Sequence, residues 1–588
     1  MSAVVDTTLG PTRLSFASEA EIDVFAETLS RYERGEMSAD QWRAFRLVHG
    51  TYGQRQDGVQ MVRVKVPQGV LSSGALRALA EASERYARGL LHVTTRQNLQ
   101  LHFVEPHDVE PAMRLLAEAG LTTREACGNA VRNVTACPYA GVAADEVFDV
   151  TPYAEAATRA FLRHPLSSSL PRKFKVAFEG CADDHVKTGI NDLGFRAVVR
   201  GGTRGFRVTA GGGTATLPTA GRLLASFLPA AEILELVEAV LRVFHEKGDR
   251  EHRNRNRMKF LIRELSWDGF VTAVDAARAA VRREGGIALP FDPARPPEEL
   301  SPVSRNDTGA AASGTGLLPP YRPAAPGWVR TNVRPQRQTG YVLAIVTLPI
   351  GDVTAAQLRE ISALAEEYGD ASARTTPSQD LLLRWIRKED IAALHARLVA
   401  AGLALDGADT IADVTSCPGA ESCRLAVTRS RGLASLLAEH FRAAGSNGAE
   451  ELAIKVSGCP NGCGQHHVAD LGFQGSVRKV GGRAVPQYLL LLGGGVDEAG
   501  TRFGRVSARI PARRAPEAVD RLLALWRKER VGEEPAPAFL ARVDPERVRA
   551  LLKDLETLTP ETAGPLDFVD LGETESFQVE TKEGECAT

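Results

Sequence analysis

The stretch "VRVKVPQGVLSSGALRALAEASERYARGLLHVTTRQNLQLHFVEPHDVEPAMRLLAEAGL" (62–121) has a second version downstream. That version is "AIVTLPIGDVTAAQLREISALAEEYGDASARTTPSQDLLLRWIRKEDIAALHARLVAAGL" (344–403). In the first version, Val62–Val66 alternates like a strand, and 72–88 carries apolar residues at helical spacing, ended by Gly89. Two short apolar runs, Leu91–Val93 and Leu99–Val104, flank a "TTRQN" turn, and Asp108 stands where it can cap a helix running to Gly120. This order predicts a split β-α-β, ferredoxin-like unit. The likeness continues past the unit: "NVTACPYAG" (133–141) matches "DVTSCPGAE" (413–421), and the "GC" and "DLGF" pairs at 180–195 recur at 458–473. The offset drifts only from 282 to 278, so one architecture is used twice, about a pseudo-twofold axis.

Composition limits the possibilities. The chain has 588 residues with 71 basic and 73 acidic side chains, so global charge gives no reason to expect nucleic acid. Its start has no charged region followed by an apolar core, and no apolar run approaches the ~18 residues of a membrane helix. A cytoplasmic protein without membrane or nucleic-acid partners is the expectation. The Pro-, Gly- and Ala-rich 289–327 reads as a connecting strap, and the acidic end, 567–588, as an extended or mobile tail.

Four of the eight cysteines fall within 47 residues. Cys417 and Cys423 lie in "DVTSCPGAESCRLAV" (413–427), and Cys459 and Cys463 in "VSGCPNGCGQHHVADLGF" (456–473). The first copy keeps Cys137 and Cys181 but has no cysteine opposite Cys423 or Cys463, so only the second copy has a complete set. Four thiolates suit an iron–sulfur cluster, with glycines 458, 462 and 464 allowing backbone N–H groups to approach sulfur. Spacing leaves two other readings: zinc, with His466 and His467 close by, or unliganded core cysteines.

Cations stand in unexpected places. Arg63 interrupts a strand, Arg132 precedes the Cys137 loop in "NAVRNVTAC", and Lys173 and Lys175 share one side if "LPRKFKVAF" (170–178) is extended. Singly, each reads as a solvated charge.

The cysteine pattern, with "SCPGAESC", "GCPNGC" and "GWVRTNVRPQRQTGY" (327–341), resembles the nitrite and sulfite reductase family over roughly His49 to Arg530. The resemblance implies an α+β fold of two ferredoxin-like half-domains and two sirohaem/iron–sulfur-type domains. It divides the chain into an N-terminal helical segment (1–48), half-domain one (49–128), a substrate domain (129–285), the strap (286–340), half-domain two (341–408), a cluster domain (409–530) and a C-terminal helix with tail (531–588). It implies sirohaem and a [4Fe–4S] cluster held by Cys417, Cys423, Cys459 and Cys463, with Cys463 also the axial ligand of the sirohaem iron. Arg63, Arg132, Lys173 and Lys175 then surround the substrate. Because sirohaem is rich in carboxylates, Arg96 and Asn98 of "TTRQNLQLH" (94–102), Arg255, Arg257 and Lys259 of "RNRNRMKF" (253–260), Arg172 and Asn461 are its expected contacts.

The family's nitrite reductases tend to read K-x-N where its sulfite reductases read K-x-K, and this chain has Lys173-Phe174-Lys175. The resemblance therefore implies a monomeric assimilatory sulfite reductase, with nitrite reduction the alternative. No G-x-G-x-x-G follows a strand, so a ferredoxin or a separate flavoprotein supplies the electrons. A precorrin-modifying relative of the same architecture and a bare iron–sulfur electron carrier are the other readings, and the four cations speak against both. Tyr52 and Cys127 are expected at the substrate cavity, where some relatives join such a pair by a thioether.

Overall fold

A computed structural model describes residues 15–252, 254–298, 302, 325–445, 448–497, 500–581 and 585. In the first half-domain a five-stranded sheet runs in the order Thr51–Gly53, Gln60–Val64, Leu99–Val104, Leu90–Val93 and Asp352–Thr354. Its outermost strand comes from the second half. The exchange is reciprocal. The second sheet runs Val333–Pro335, Tyr341–Val346, Leu381–Arg387, Ser372–Thr375 and, from the first half, Val70–Ser72. The register repeats the sequence offset: Leu71 faces Ala373 and Val353 faces Leu91, each pair of counterparts 282 residues apart. Each lent strand covers an edge that would otherwise present unpaired N–H and C=O groups. The helices Ser73–Tyr86 and Ala355–Tyr368 pack together, and one apolar core with Leu76, Leu79, Leu358 and Ile361 serves both halves.

Each half leads into a domain with its own core and a mixed sheet. The first runs Thr135–Ala136, Val176–Glu179, Leu193–Arg200, Thr203–Ala210 and Arg222–Pro229; the second runs Thr415–Ser416, Ile454–Ser457, Leu471–Val480, Arg483–Leu492 and Arg505–Pro511. The first three strands of each sheet are parallel. Parallel strands end on the same side, and ligands of such sheets gather beyond their carboxyl ends. Cys137 and Cys417 follow the first strands directly, and Cys181 and Cys459 lie two residues beyond the second strands.

Several local expectations need correction. Asp108 ends a 3-10 turn before the helix Val109–Glu118 and makes no side-chain cap. Lys173 and Lys175 precede the strand Val176–Glu179, although a single bridge between Val131 and Phe174 keeps their segment extended. Of the strap, 299–301 and 303–324 lie outside the described residues, and its last part is the helix Pro326–Asn332 and an edge strand. The described part of the acidic tail packs at two places, while 572–581 between them are mostly exposed: Asp570 accepts from the Arg429 amide at 2.8 Å with Leu571 buried beside it, and Glu585 reaches the central cavity. Cys586 lies outside the described residues. Among the described residues no helix is long and apolar enough to cross a membrane.

Candidate functional site

The loops after the second cysteine-bearing strands are fixed by close backbone packing. A Cβ on Gly458 would stand 2.6 Å from the Thr428 carbonyl oxygen, and one on Gly464 2.0 Å from that of Val456. Only glycine fits at either position. The Gly458 amide donates to the Cys417 Sγ at 3.3 Å, and the Ser430 hydroxyl lies 3.2 Å from it. Cys417, Cys423, Cys459 and Cys463 all line one cavity. Burial raises the Cys417 and Cys459 thiols above their ordinary range, and the neighbouring Cys463 charge raises both further. Buried thiols gathered at one cavity call for a cationic group to share.

The spacing of these thiols separates two of the sequence readings. Among the described residues, two groups of His, Cys and carboxylate ligand atoms lie within 4.8 Å of one another, and these four cysteines belong to neither. A single zinc ion holds its ligand atoms ~3.5–3.8 Å apart, whereas a cluster of four irons spreads them wider. His466 and His467 stack on each other with ring centroids 3.9 Å apart, and His466 pairs with Gln474.

The cavity itself encloses about 1800 Å³ of empty space, mouth included. Strands and turns from both copies wall it. Arg63 projects from Gln60–Val64; its guanidinium contacts the Ala126 carbonyl and Cys127 Sγ at 3.4 Å, and the Gln100 amide oxygen accepts from it at 2.6 Å. Arg132 is anchored to the Gly128 and Ala126 carbonyls, each at 3.0 Å, and to the Tyr52 hydroxyl at 3.3 Å. Phe174 turns into the core with none of its surface exposed, so Lys173 and Lys175 turn the other way, into the cavity. All four expected substrate cations meet there.

The remaining expected contacts divide. Arg96, Asn98, Arg257 and Asn461 line the cavity. Arg96 donates to Asn191 Oδ1 at 2.7 Å and to the Asn133 carbonyl at 2.6 Å, while Arg257 is bound to Asp192 at 3.0 Å. Lys259 stands behind the wall, donating to the carbonyls of Thr214, Thr216 and Leu217, and so shapes the loop that carries Thr214 and Ala215 into the cavity. Arg172 is buried and Arg255 is exposed, and neither lines the cavity. Tyr52 lines it; Cys127 lies just behind, fully buried, in a small apolar cluster with Tyr52, Leu47 and Met61.

Other participants went unread in the sequence. His92, Gln100 and His102 line the cavity beside Arg63, and Glu585 closes one side, bound by the Arg46 guanidinium and the Gly53 amide. A matched glutamine pair ties the whole together. Gln97 donates to the Ala136 and Thr375 carbonyls, each at 3.0 Å, and accepts from the Ala136 amide. Its counterpart Gln379 donates to the Val93 carbonyl at 2.8 Å and accepts from the Ser416 amide at 2.7 Å. Both have positive φ, 59° and 78°. Each glutamine thus links the opposite half-domain to the residue immediately before a cysteine, Cys137 or Cys417.

Seven Lys and Arg side chains but a single carboxylate, Glu585, line the cavity among the described residues. Their repulsion is visible in their acidities. Burial, then Arg257, Arg96 and Lys173, pushes the Lys175 ammonium well below lysine's ordinary range, and burial with Arg132 pushes Arg96 down to about 9. The buried Nε atoms of Arg96 and Arg257 and the Gln465 Oε1 have no hydrogen-bond partner. A cavity of this kind is built for a large anion.

Comparisons with known proteins agree. Residues 127–281 and 407–557 match the nitrite and sulphite reductase 4Fe-4S domain, and 52–119 and 334–401 the nitrite/sulfite reductase ferredoxin-like half domain. A ferredoxin–nitrite reductase of Synechococcus elongatus is 30% identical over 74% of this chain and 80% of its own. A sulfite reductase [ferredoxin] of Mycolicibacterium paratuberculosis is 28% identical over 83% of both chains. The solved structure of Mycobacterium tuberculosis NirA protein superposes with a TM-score of 0.72 at 26% identity, covering 91% of this chain and 98% of that one. The cofactors of such proteins are a [4Fe–4S] cluster and sirohaem. The four thiols, the unpartnered donors and the excess of cations fit a cluster beside a polycarboxylate macrocycle.

Proposed function

This chain belongs to the nitrite and sulphite reductase family, and on that premise we propose that it is a ferredoxin-dependent assimilatory sulfite reductase. The observation that carries the choice is the Lys173–Lys175 pair, both side chains turned into the cavity with Arg63 and Arg132. Four cations suit fully ionised sulfite, a dianion, better than nitrite, a monoanion. Nitrite reduction is the second reading, because relatives named for either substrate resemble the chain to a similar degree.

When bound, the cluster and sirohaem supply electrons and the iron at which the oxyanion is reduced. Cys417, Cys423, Cys459 and Cys463 would hold the cluster, and Arg96, Arg257, Asn98 and Asn461 would receive the macrocycle's carboxylates. Arg63 and Arg132 orient the anion, each braced by protein acceptors so that its charge is aimed before substrate arrives. Lys173 and Lys175 deliver protons to the departing oxygens. Sulfite, six electrons and seven protons give hydrosulfide and three waters. The lowered affinity of Lys175 for its proton makes it a stronger acid than an ordinary lysine, and the neighbouring cations assist release.

The reading is tested by steady-state turnover of the holoenzyme with a reduced viologen and then reduced ferredoxin, on sulfite and on nitrite. Sulfite is expected to have the higher kcat/KM, and a strong preference for nitrite overturns the substrate. Tyr52 lines the cavity beside Arg132, and Cys127 lies behind Arg63 in the same small apolar cluster. A thioether between them predicts an intact mass lower by two hydrogens. The chain acts as a monomer, with one edge of each half-domain sheet covered by a strand of the other half; sedimentation of the holoenzyme checks this.

A further inference from the structure

The first copy holds a second group of ligand-type side chains, none of which lines the cavity. The atoms of Cys137, Glu179, Cys181 and His185 all lie within 4.8 Å of one another. The two Sγ atoms are 3.4 Å apart, His185 Nδ1 is 3.4 Å from Cys137 Sγ, and Glu179 Oε1 is 3.6 Å from His185 Nδ1. Cys137, Cys181 and Glu179 are buried, and His185 is mostly so, with its ring against Tyr139 at 4.7 Å between centroids.

Tetrahedral zinc, with bonds of about 2.3 Å to sulfur and 2.0–2.1 Å to nitrogen or oxygen, sets ligand atoms ~3.5–3.8 Å apart. The observed separations are close to those edges. The residues also descend from the cluster loops. Cys137 and Cys181 stand opposite Cys417 and Cys459, and the gap-free match of 180–195 with 458–473 puts His185 opposite Cys463 and Glu179 opposite Ser457. The position of the shared thiolate is thus kept as a ligand, with imidazole replacing sulfur. Glu179 is already fixed: its Oε1 accepts from the Gly180 and Cys181 amides at 2.9 and 3.0 Å and its Oε2 from Val186 at 3.3 Å, which leaves one acceptor position, on Oε2, for a further partner.

We propose that Cys137, Glu179, Cys181 and His185 bind one structural zinc ion, through two thiolates, one imidazole and one carboxylate. A closed set of four mixed ligands suits zinc and leaves no open position for catalysis. A disulfide between the cysteines would leave the convergence of His185 and Glu179 on the same point without a cause. The ion pins the start of the 181–192 loop, whose far end presents Asn191 to Arg96 and Asp192 to Arg257. Zinc would therefore brace two of the cavity's cations from behind.

The test uses the full-length holoenzyme made in zinc-supplemented medium and dialysed against a chelator. Elemental analysis is expected to give about one zinc per chain beside the iron. Zinc-edge X-ray absorption should show two sulfurs at about 2.3 Å and two lighter atoms at about 2.0–2.1 Å. Cys181→Ser and His185→Ala should lose the zinc while keeping the iron and acid-labile sulfide, and Glu179→Gln, which preserves shape, should release zinc faster to chelator. Zinc below about one tenth per chain in the unaltered holoenzyme would overturn the proposal. So would zinc retained undiminished by both Cys181→Ser and His185→Ala, a zinc shell without sulfur, or a Cys137–Cys181 disulfide in peptides of the purified protein. The absorption measurement needs no variant and decides the matter even if a substitution prevents folding.

Discussion

The two cysteine loops of the first copy and the two of the second start from the same strands and end in different chemistry. In the second copy the thiols stand apart and face the cavity, with Cys463 exposed toward it. In the first, two thiols, an imidazole and a carboxylate close on one point away from it. Three exchanges account for the divergence: Ala143 stands opposite Cys423, His185 opposite Cys463 and Glu179 opposite Ser457. A duplicated scaffold can therefore convert a cluster site into a single-ion site by removing one distant ligand, replacing a soft thiolate by a harder imidazole and adding a carboxylate. Both sites still fall where parallel strands deliver their carboxyl ends, so topology fixes the place and side chains fix the ion.

The largest effect expected from breaking this contrast is at the shared thiolate. Cys463→Ser should lower sulfite turnover by more than ~100-fold, since even outer-shell ligand partners are worth ~10–100-fold, and should change the cluster's electron paramagnetic resonance. His185→Ala, its counterpart in the first copy, should leave that signal in place and remove zinc instead. Next comes Lys175→Asn, which should reduce kcat/KM for sulfite by ~100-fold, the typical loss of one preorganised electrostatic group. Nitrite turnover should fall by less.

The glutamines sharpen the comparison further. Gln97→Ala strands a buried amide N–H and two carbonyls, and Gln379→Ala a buried amide N–H and one carbonyl, at ~1–3 kcal/mol per group, so each should lower the unfolding free energy by ~2–4 kcal/mol. Only Gln379→Ala should also shift the cluster's reduction potential, because its amide partner Ser416 adjoins Cys417. The smallest effect is in the pH profile. Lys175 is held well below lysine's ordinary range, so it loses its proton, and sulfite binding weakens, at lower pH than for a free lysine. Lys175→Arg, which stays charged, should move the alkaline limb upward.

Much of this was legible because the chain states it twice. The offset of 282, the paired helix and strand patterns and the completeness of the second copy's four cysteines follow from comparing one half with the other, whereas the four cations took on meaning only through the family resemblance. What escaped has physical reasons. The lent strands Val70–Ser72 and Asp352–Thr354 are three residues long, too short for a period, and their partners lie in the other half. Gln97 and Gln379 read as turn residues, and nothing local shows that a left-handed conformation aims their amides at a cysteine strand. Arg255 and Arg257 stand two apart in one basic run, yet only burial against Asp192 decides which of them enters the cavity. His185 escaped because a search for absent cysteines does not count a histidine as their successor.

The lent strands bear on how the protein is made. Val353 must find Leu91, and Ala373 must find Leu71, across most of a half-chain, and such distant pairings form slowly. A ribosome that has released only the first half has made Arg63, Arg132, Lys173 and Lys175 but neither cluster loop nor the strand that seals the first sheet. Until the second half emerges, that intermediate displays an open sheet edge, a hazard for association with other chains. Loading of iron and macrocycle is thereby deferred to a time after synthesis, when both halves have closed on each other and all walls of the cavity exist.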